Sequence, residues 1–315
     1  MNGSFVAIVN SLAPVFLVMA LGWMLRSRQF LSTTALQEMA RLTYWVALPC
    51  LLFVEIAAAN PLFGEAGRVF FVMATATGLG MALGYGLARW LAVPRAAIGT
   101  FLQAAFRGNL AFVGLPVIIY AFSTAGQNAA VAKATAVVVM GPMVALYNVA
   151  AVLALLLSRS RLSRQALNQA FKELKLNPLL LACLAGVVYA ALNWQLPALV
   201  ARTLTAIGQM SLPLALLCIG GSLVSMRVRG KLSWSLAAVV SKLFLLPLLG
   251  YAVAYLFGLS VQGTRIALIL LACPTASVSY ILVSQLGGDK PLASGAILIS
   301  TLLAVLPLAV ILALV

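Results

Sequence analysis

The sequence contains no histidine, which removes the side chain most used to ligate metals and to move protons near neutrality. Acidic residues are nearly as scarce, with five Asp and Glu against twenty Lys and Arg in 315 residues. No carboxylate pair is spaced for acid–base work and no nucleophile stands beside a base. Neither an enzyme nor a resident metal or cofactor is expected. The four cysteines, Cys50, Cys183, Cys218 and Cys273, stand singly in apolar stretches and read as small buried hydrophobes. Charged residues make up only 8% of the chain, about a third of their share in an ordinary soluble domain.

What the chain has instead is apolar surface: 64% of its residues belong to the hydrophobic set. No soluble fold of this length hides that much from water. A helix crossing a bilayer needs about 20 mostly apolar residues, and ten such stretches follow one another. They cover 5–25, 34–58, 68–91, 96–121, 129–157, 178–193, 199–226, 232–257, 264–286 and 291–314. The expected fold class is all-α and integral to the membrane, with ten transmembrane helices and no soluble domain. The first stretch has no basic residue before it and exceeds a typical signal-peptide core, so it is expected to stay as a crossing.

A net charge of +15 would suit a nucleic-acid partner, but its distribution argues for a bilayer and against nucleic acid. Thirteen of the twenty basic residues fall at alternate connections: Arg26 and Arg28, Arg89 and Arg95, the 159–175 segment, the 227–231 segment, and Lys290. That alternation follows the positive-inside rule and places both termini outside the cytoplasm. Trp23, Trp90 and Trp234 near inner ends, and Trp194 near an outer end, sit where interface aromatics belong. The basic segment 158–177 has two readings, an amphipathic helix on the anionic inner leaflet or a solvated linker.

The prolines suggest an internal repeat. Pro14 and Pro178 are 164 residues apart, as are Pro49 and Pro213; Pro142 and Pro307 are 165 apart, and Asn109 is matched by Pro274 at 165. Chance alignment is the competing explanation. Five crossings per half is an odd number, so the second half starts on the opposite side of the membrane, which makes the halves an inverted repeat of the kind secondary transporters use. The divisions are 1–157, the linker 158–177, and 178–315.

Two corresponding stretches carry helix breakers at mid-length. One reads Arg107-Gly108-Asn109 followed by Gly114-Leu115-Pro116; the other runs Cys273-Pro274-Thr275-Ala276-Ser277-Val278-Ser279-Tyr280. One reading is a kink between tightly packed helices. The other is a binding site, since unwound backbone in a membrane must face protein, water or ligand and helix ends starting at a break attract anions. Paired interruptions are the best sequence pointer to a transporter site.

Arg107 and Lys242 lie deepest in the stretches, and intramembrane charges by default mark function. Each either faces an anionic substrate or makes a structural contact with backbone carbonyls or the interface; Lys242 has the further reading that it occupies the place where another transporter would bind a cation. Glu55 and Asp289 are the acids considered for coupling to H+ or Na+, with Asp289 also suited to the turn in Gly287-Gly288-Asp289-Lys290. Gln103 and Asn148 could bond neighbouring helices.

Taken in order, Phe106-Arg107-Gly108-Asn109, Gly114-Leu115-Pro116, Asn177-Pro178, Pro213 with Cys218-Ile219-Gly220, Lys242 before Pro247, and Pro274 to Tyr280 leading to Gly287-Gly288-Asp289 resemble the auxin efflux carrier family over the whole chain. Its bacterial members include malonate and malate permeases, so the resemblance implies a bacterial plasma-membrane transporter. It also implies a fold similar to bile acid sodium symporters. There, stretches 3–5 and 8–10 form a core, and stretches 1, 2, 6 and 7 form a panel often used for homodimers. The fourth and ninth would cross at their breaks. Asn109, Pro116, Pro274 and the run Thr275–Ser279 carry over as that crossing. The plant family members have a proline-rich crossing; here Gly108-Asn109 replaces one proline, which argues against auxin itself as substrate.

The function expected is secondary transport of a small organic anion, a mono- or dicarboxylate, by an elevator-like movement. The substrate-binding set is Arg107, Gly108, Asn109, Pro116, Pro274, Thr275, Ser277, Ser279 and Lys242. The alternatives are an anion channel or passive uniporter and a membrane sensor that does not transport.

Overall fold

The computed structural model describes residues 2–58, 63–122, 127–159, 175–226 and 230–314. All regular structure among them is helical. A helix satisfies its own backbone groups, which apolar surroundings demand. Helix α1 (Asn2–Ser27) occupies the first expected stretch. Helices α2 (Thr33–Leu42) and α3 (Leu48–Ala58) make the second, and α4 (Phe63–Trp90) the third. Helices α5 (Arg95–Phe106) and α6 (Leu115–Phe122) share the fourth. Helix α7 (Gln127–Arg159) fills the fifth and α8 (Pro178–Ala191) the sixth. Helices α9 (Ala198–Gln209) and α10 (Ser211–Leu223) form the seventh, α11 (Leu232–Val240) and α12 (Leu246–Leu256) the eighth. Helices α13 (Val261–Leu271) and α14 (Val278–Gln285) form the ninth, α15 (Lys290–Leu303) and α16 (Val305–Leu314) the tenth. Of the basic segment 158–177, residues 160–174 lie outside the described residues.

Six helical stretches are long and apolar enough to cross a membrane, and a seventh is if α15 and α16, bent by 40° at their junction, count together. The remaining three expected stretches differ for visible reasons. The fourth and ninth are interrupted where sequence breakers stand, and α8 has only 14 residues. Large apolar side chains lie open on the surface, among them Leu17, Phe71, Leu199, Leu248 and Leu306. A soluble monomer rarely exposes so much, and lipid tails would cover it.

Helix starts follow their local chemistry. Ser32, Asn177, Ser260 and Asp289 cap α2, α8, α13 and α15, each accepting a hydrogen bond from a first-turn N–H. Such a cap is worth about 1 kcal/mol. Asp289 thus takes the structural role that its glycine-rich turn allowed.

Three five-residue π-helical turns interrupt the stretches: Thr43–Ala47, Leu110–Gly114 and Ser241–Leu245. Each ends two residues before a proline, Pro49, Pro116 or Pro247. Proline has no N–H to donate, and its ring collides with the carbonyl four residues back. A wider turn just upstream accommodates both effects, and such bulges cluster at functional sites.

The chain divides into two compact units. Unit 1 comprises 1–67, 111–144 and 177–225; unit 2 comprises 68–110, 145–176 and 226–315. In unit 1, α1 packs along α10 and α3 along α8. The α1–α10 pair touches backbone to backbone. A Cβ on Gly22 would strike the Leu217 carbonyl, and one on Gly220 would strike that of Met19. Membrane helices approach through small residues in this way. In unit 2, α11 packs on α5 and α15, and α12 on α13. Helix α5 is buried from Ala97 to Phe106, and α13 from Ile266 to Leu271. Helices buried on every side belong to an interior, so both helices leading into the breaks lie within unit 2.

Candidate functional site

Helix α5 ends at Phe106 because Arg107 turns to extended geometry, φ −76° and ψ 98°. Helix α13 ends at Leu271, ahead of Pro274. The two unwound segments then pair with each other. Gly108 and Thr275 form an isolated antiparallel bridge. The Asn109 N–H donates to the Pro274 carbonyl at 2.8 Å, and the Ala276 N–H to the Arg107 carbonyl at 3.0 Å. Each break therefore satisfies part of the other's backbone, which apolar surroundings would otherwise penalise by several kcal/mol per group. Proline suits Pro274, since that position accepts a bond and needs to donate none.

Side chains complete the crossing. The Thr275 N–H donates to Ser300 Oγ at 3.0 Å, and Thr275 Oγ1 donates to the Ala104 carbonyl at 2.8 Å. Gln103 Nε2 reaches the Ser279 carbonyl at 3.3 Å. The Arg107 guanidinium is buried and directed toward α5 and α7. It donates to Gln103 Oε1 at 3.0 Å and to Asn148 Oδ1. Gln103 and Asn148 thus do bond across helices, and the partner they share is Arg107. The ring of Phe106 packs edge-on against Tyr147 at 5.7 Å, whose hydroxyl meets Thr77 Oγ1.

Lys242 lies in the π turn before Pro247 and is completely buried. Its ammonium donates to the Leu271 carbonyl, at the freed C-terminal end of α13, where a helix dipole favours a cation. A Cβ on Gly108 would lie 3.1 Å from Lys242 Nζ, so glycine is what lets the charge approach the crossing. Among the described residues no carboxylate pairs with Lys242; the one ion pair there joins Lys133 and Glu55, in unit 1.

One polar atom at the crossing stays unengaged: Ser279 Oγ is buried with no hydrogen-bond partner among the described residues. Asn109, also in the crossing, is a buried residue. Ser277 is half-buried at the start of α14. The structure thus gathers Arg107, Gly108, Asn109, Pro274, Thr275, Ser277, Ser279 and Lys242 within unit 2. Pro116 belongs to unit 1, as the second residue of α6. Glu55 is held by Lys133, and Asp289 serves as a cap whose N–H donates to Thr100 Oγ1 at 3.0 Å. The roles of Thr100, Ser300 and the Leu271 carbonyl left no trace in the sequence, because a lone hydroxyl or a backbone carbonyl has no pattern.

Arg107 is expected to matter for stability. Replacing it by alanine strands two buried amide oxygens, at about 1–3 kcal/mol each. A thermal melt of Arg107→Ala should show the loss, and an unchanged melting temperature would remove Arg107 from the framework of the crossing.

Comparison of the chain with curated proteins gives no match. The family model described as "Membrane transport protein" matches residues 7–312. With its helical, lipid-suited surface and its paired interruptions, the chain belongs to that family, the auxin efflux carriers.

Proposed function

We propose that this membrane transport protein is a secondary transporter of a small organic anion, a mono- or dicarboxylate, that binds at the crossing in unit 2. The observation that carries the reading is Lys242. Its ammonium is buried beside unwound backbone, with a carbonyl but no carboxylate among the described residues. A buried charge is costly without a partner, and an anion bound at the crossing would supply one. Ser279 Oγ and the Asn109 amide would donate to its oxygens. Arg107 would contribute positive potential while its guanidinium holds Gln103 and Asn148.

The finer architecture belongs to the same proposal. Ten crossings would form two inverted five-helix halves, 1–157 and 178–315, with both termini outside the cytoplasm of a bacterial cell. Unit 2 contains stretches 3, 8, 9 and 10 with parts of 4 and 5, close to the expected core. Unit 1 contains stretches 1, 2, 6 and 7 with the rest, close to the expected panel. The core would carry the anion in an elevator-like movement, and the panel would support a homodimer.

The test is uptake of radiolabelled malonate, malate, lactate and acetate into proteoliposomes under imposed H+ or Na+ gradients. Saturable accumulation of at least one against its gradient is expected, and the gradient that drives it names the coupling ion. Flux that only equilibrates would favour a passive uniporter. No flux of any of the four would discard the carboxylate reading.

A further inference from the structure

A second feature of unit 2 lies away from the crossing. Helices α4, α5 and α7 each turn one face toward a common groove. Helix α4 contributes Met81, Tyr85 and Arg89, at a spacing of four. Helix α5 contributes Arg95, Ile98 and Leu102, at three and four, and α7 contributes Leu153 and Leu157. These spacings place each set on one side of its helix. The floor is built by close approach, since a Cβ on Gly99 would strike the Ala154 carbonyl. The groove encloses about 660 Å³.

Its chemistry is divided along its length. The body is aliphatic. The only charged groups lining it are Arg89 and Arg95, which flank the short α4–α5 turn in the last turn of one helix and at the first residue of the next. Among the described residues neither guanidinium has an ion-pair or hydrogen-bond partner. Both stand at a connection rich in positive charge, beside Trp90, which is 80% exposed. A ligand that matches both parts must carry an anionic head on a long apolar tail.

We propose that this groove is a binding site for an anionic phospholipid. The phosphate sits between Arg89 and Arg95, and one acyl chain lies along Ile98, Leu102, Leu153 and Leu157. Basic pockets between membrane helices hold acidic headgroups in this manner. Tyr85, which also lines the groove, offers a hydroxyl as a donor for the headgroup glycerol. The site is independent of the substrate reading, because it shares no residue with the crossing.

The experiment is thermal unfolding of the full chain in detergent, titrated with phosphatidylglycerol, with phosphatidylcholine, or with inorganic phosphate. Phosphatidylglycerol should raise the melting temperature saturably, and the other two should not. In the double variant Arg89→Gln/Arg95→Gln the apparent phosphatidylglycerol affinity should fall about thirtyfold, since each basic side chain near a lipid surface contributes about fivefold. Arg89→Lys/Arg95→Lys should keep most of it. Leu153→Trp, which fills the apolar part, should weaken binding with both arginines in place. Equal stabilisation by phosphatidylcholine, a full shift from inorganic phosphate alone, or an unchanged affinity in the double variant would each overturn the proposal. So would a change from dimer to monomer in the double variant without any change in lipid response, which would make the groove a contact between copies.

Discussion

Replacing Lys242 by methionine will abolish high-affinity anion binding while leaving the protein folded. Methionine has nearly the length of lysine and fits the same completely buried channel beside Gly108. Removing the ammonium leaves the Leu271 carbonyl without its donor, at a cost of about 1–3 kcal/mol. Offsetting that, a charge no longer has to be held away from water, and apolar replacement of buried ions is often neutral or stabilising. The melting temperature should therefore move little. Binding has no such compensation. Two unit charges about 4 Å apart at an effective dielectric near 20 attract by about 4 kcal/mol, which corresponds to roughly a thousandfold in Kd. Titration of labelled carboxylate on purified protein measures this directly. A Lys242→Met protein that binds its anion as tightly as the parent would end the assignment of the site to the crossing.

The second large effect concerns stability. Gly220→Ala should destabilise unit 1 by about 3 kcal/mol, at the upper end of ordinary overpacking. The added methyl group would lie within the backbone of Met19. A backbone carbonyl in a helix cannot rotate aside as a side-chain tip can, so α1 and α10 must separate along their contact. Gly86→Ala is the control. A Cβ there meets nothing within 4 Å, and in a helix interior alanine is favoured over glycine by about 1 kcal/mol. Thermal melts of the two variants should move in opposite directions. If both fall alike, helix contact is not what Gly220 protects.

The helices and their interruptions were legible in the chain because apolar length, proline and glycine act locally. Arg107-Gly108-Asn109 and Cys273-Pro274 stop their helices for reasons their own backbones supply. The family resemblance implied that the two stops cross; that they pair like strands is a finding of the structure, since a hydrogen bond between residues 109 and 274 has no local signature. For Lys242 the sequence leaves several readings open: toward substrate, in the place of a bound cation, toward the interface, or toward a backbone carbonyl. The structure shows the carbonyl contact and also sets the charge against the crossing. For Arg107 the sequence showed a buried charge beside a break. It could not show that Gln103 and Asn148 claim the guanidinium, because direction depends on how α5 and α7 pack. The division of the chain at 110–111 and 144–145, inside two apolar stretches, was equally invisible, since no change of composition marks it.

The π turns also bear on chain length. Each one holds a residue more than an α turn of the same span, so the extra residue is absorbed locally and the helices on either side stay in phase. Ser235 and Val239 before the turn, and Pro247 and Gly250 after it, are all buried. A one-residue deletion at Phe244 would let regular winding replace the wide turn, with both flanks still facing inward and the hydrophobicity profile almost untouched. What it would take away is the turn that carries Lys242. The protein should therefore still fold and insert while its buried ammonium is displaced from the Leu271 carbonyl.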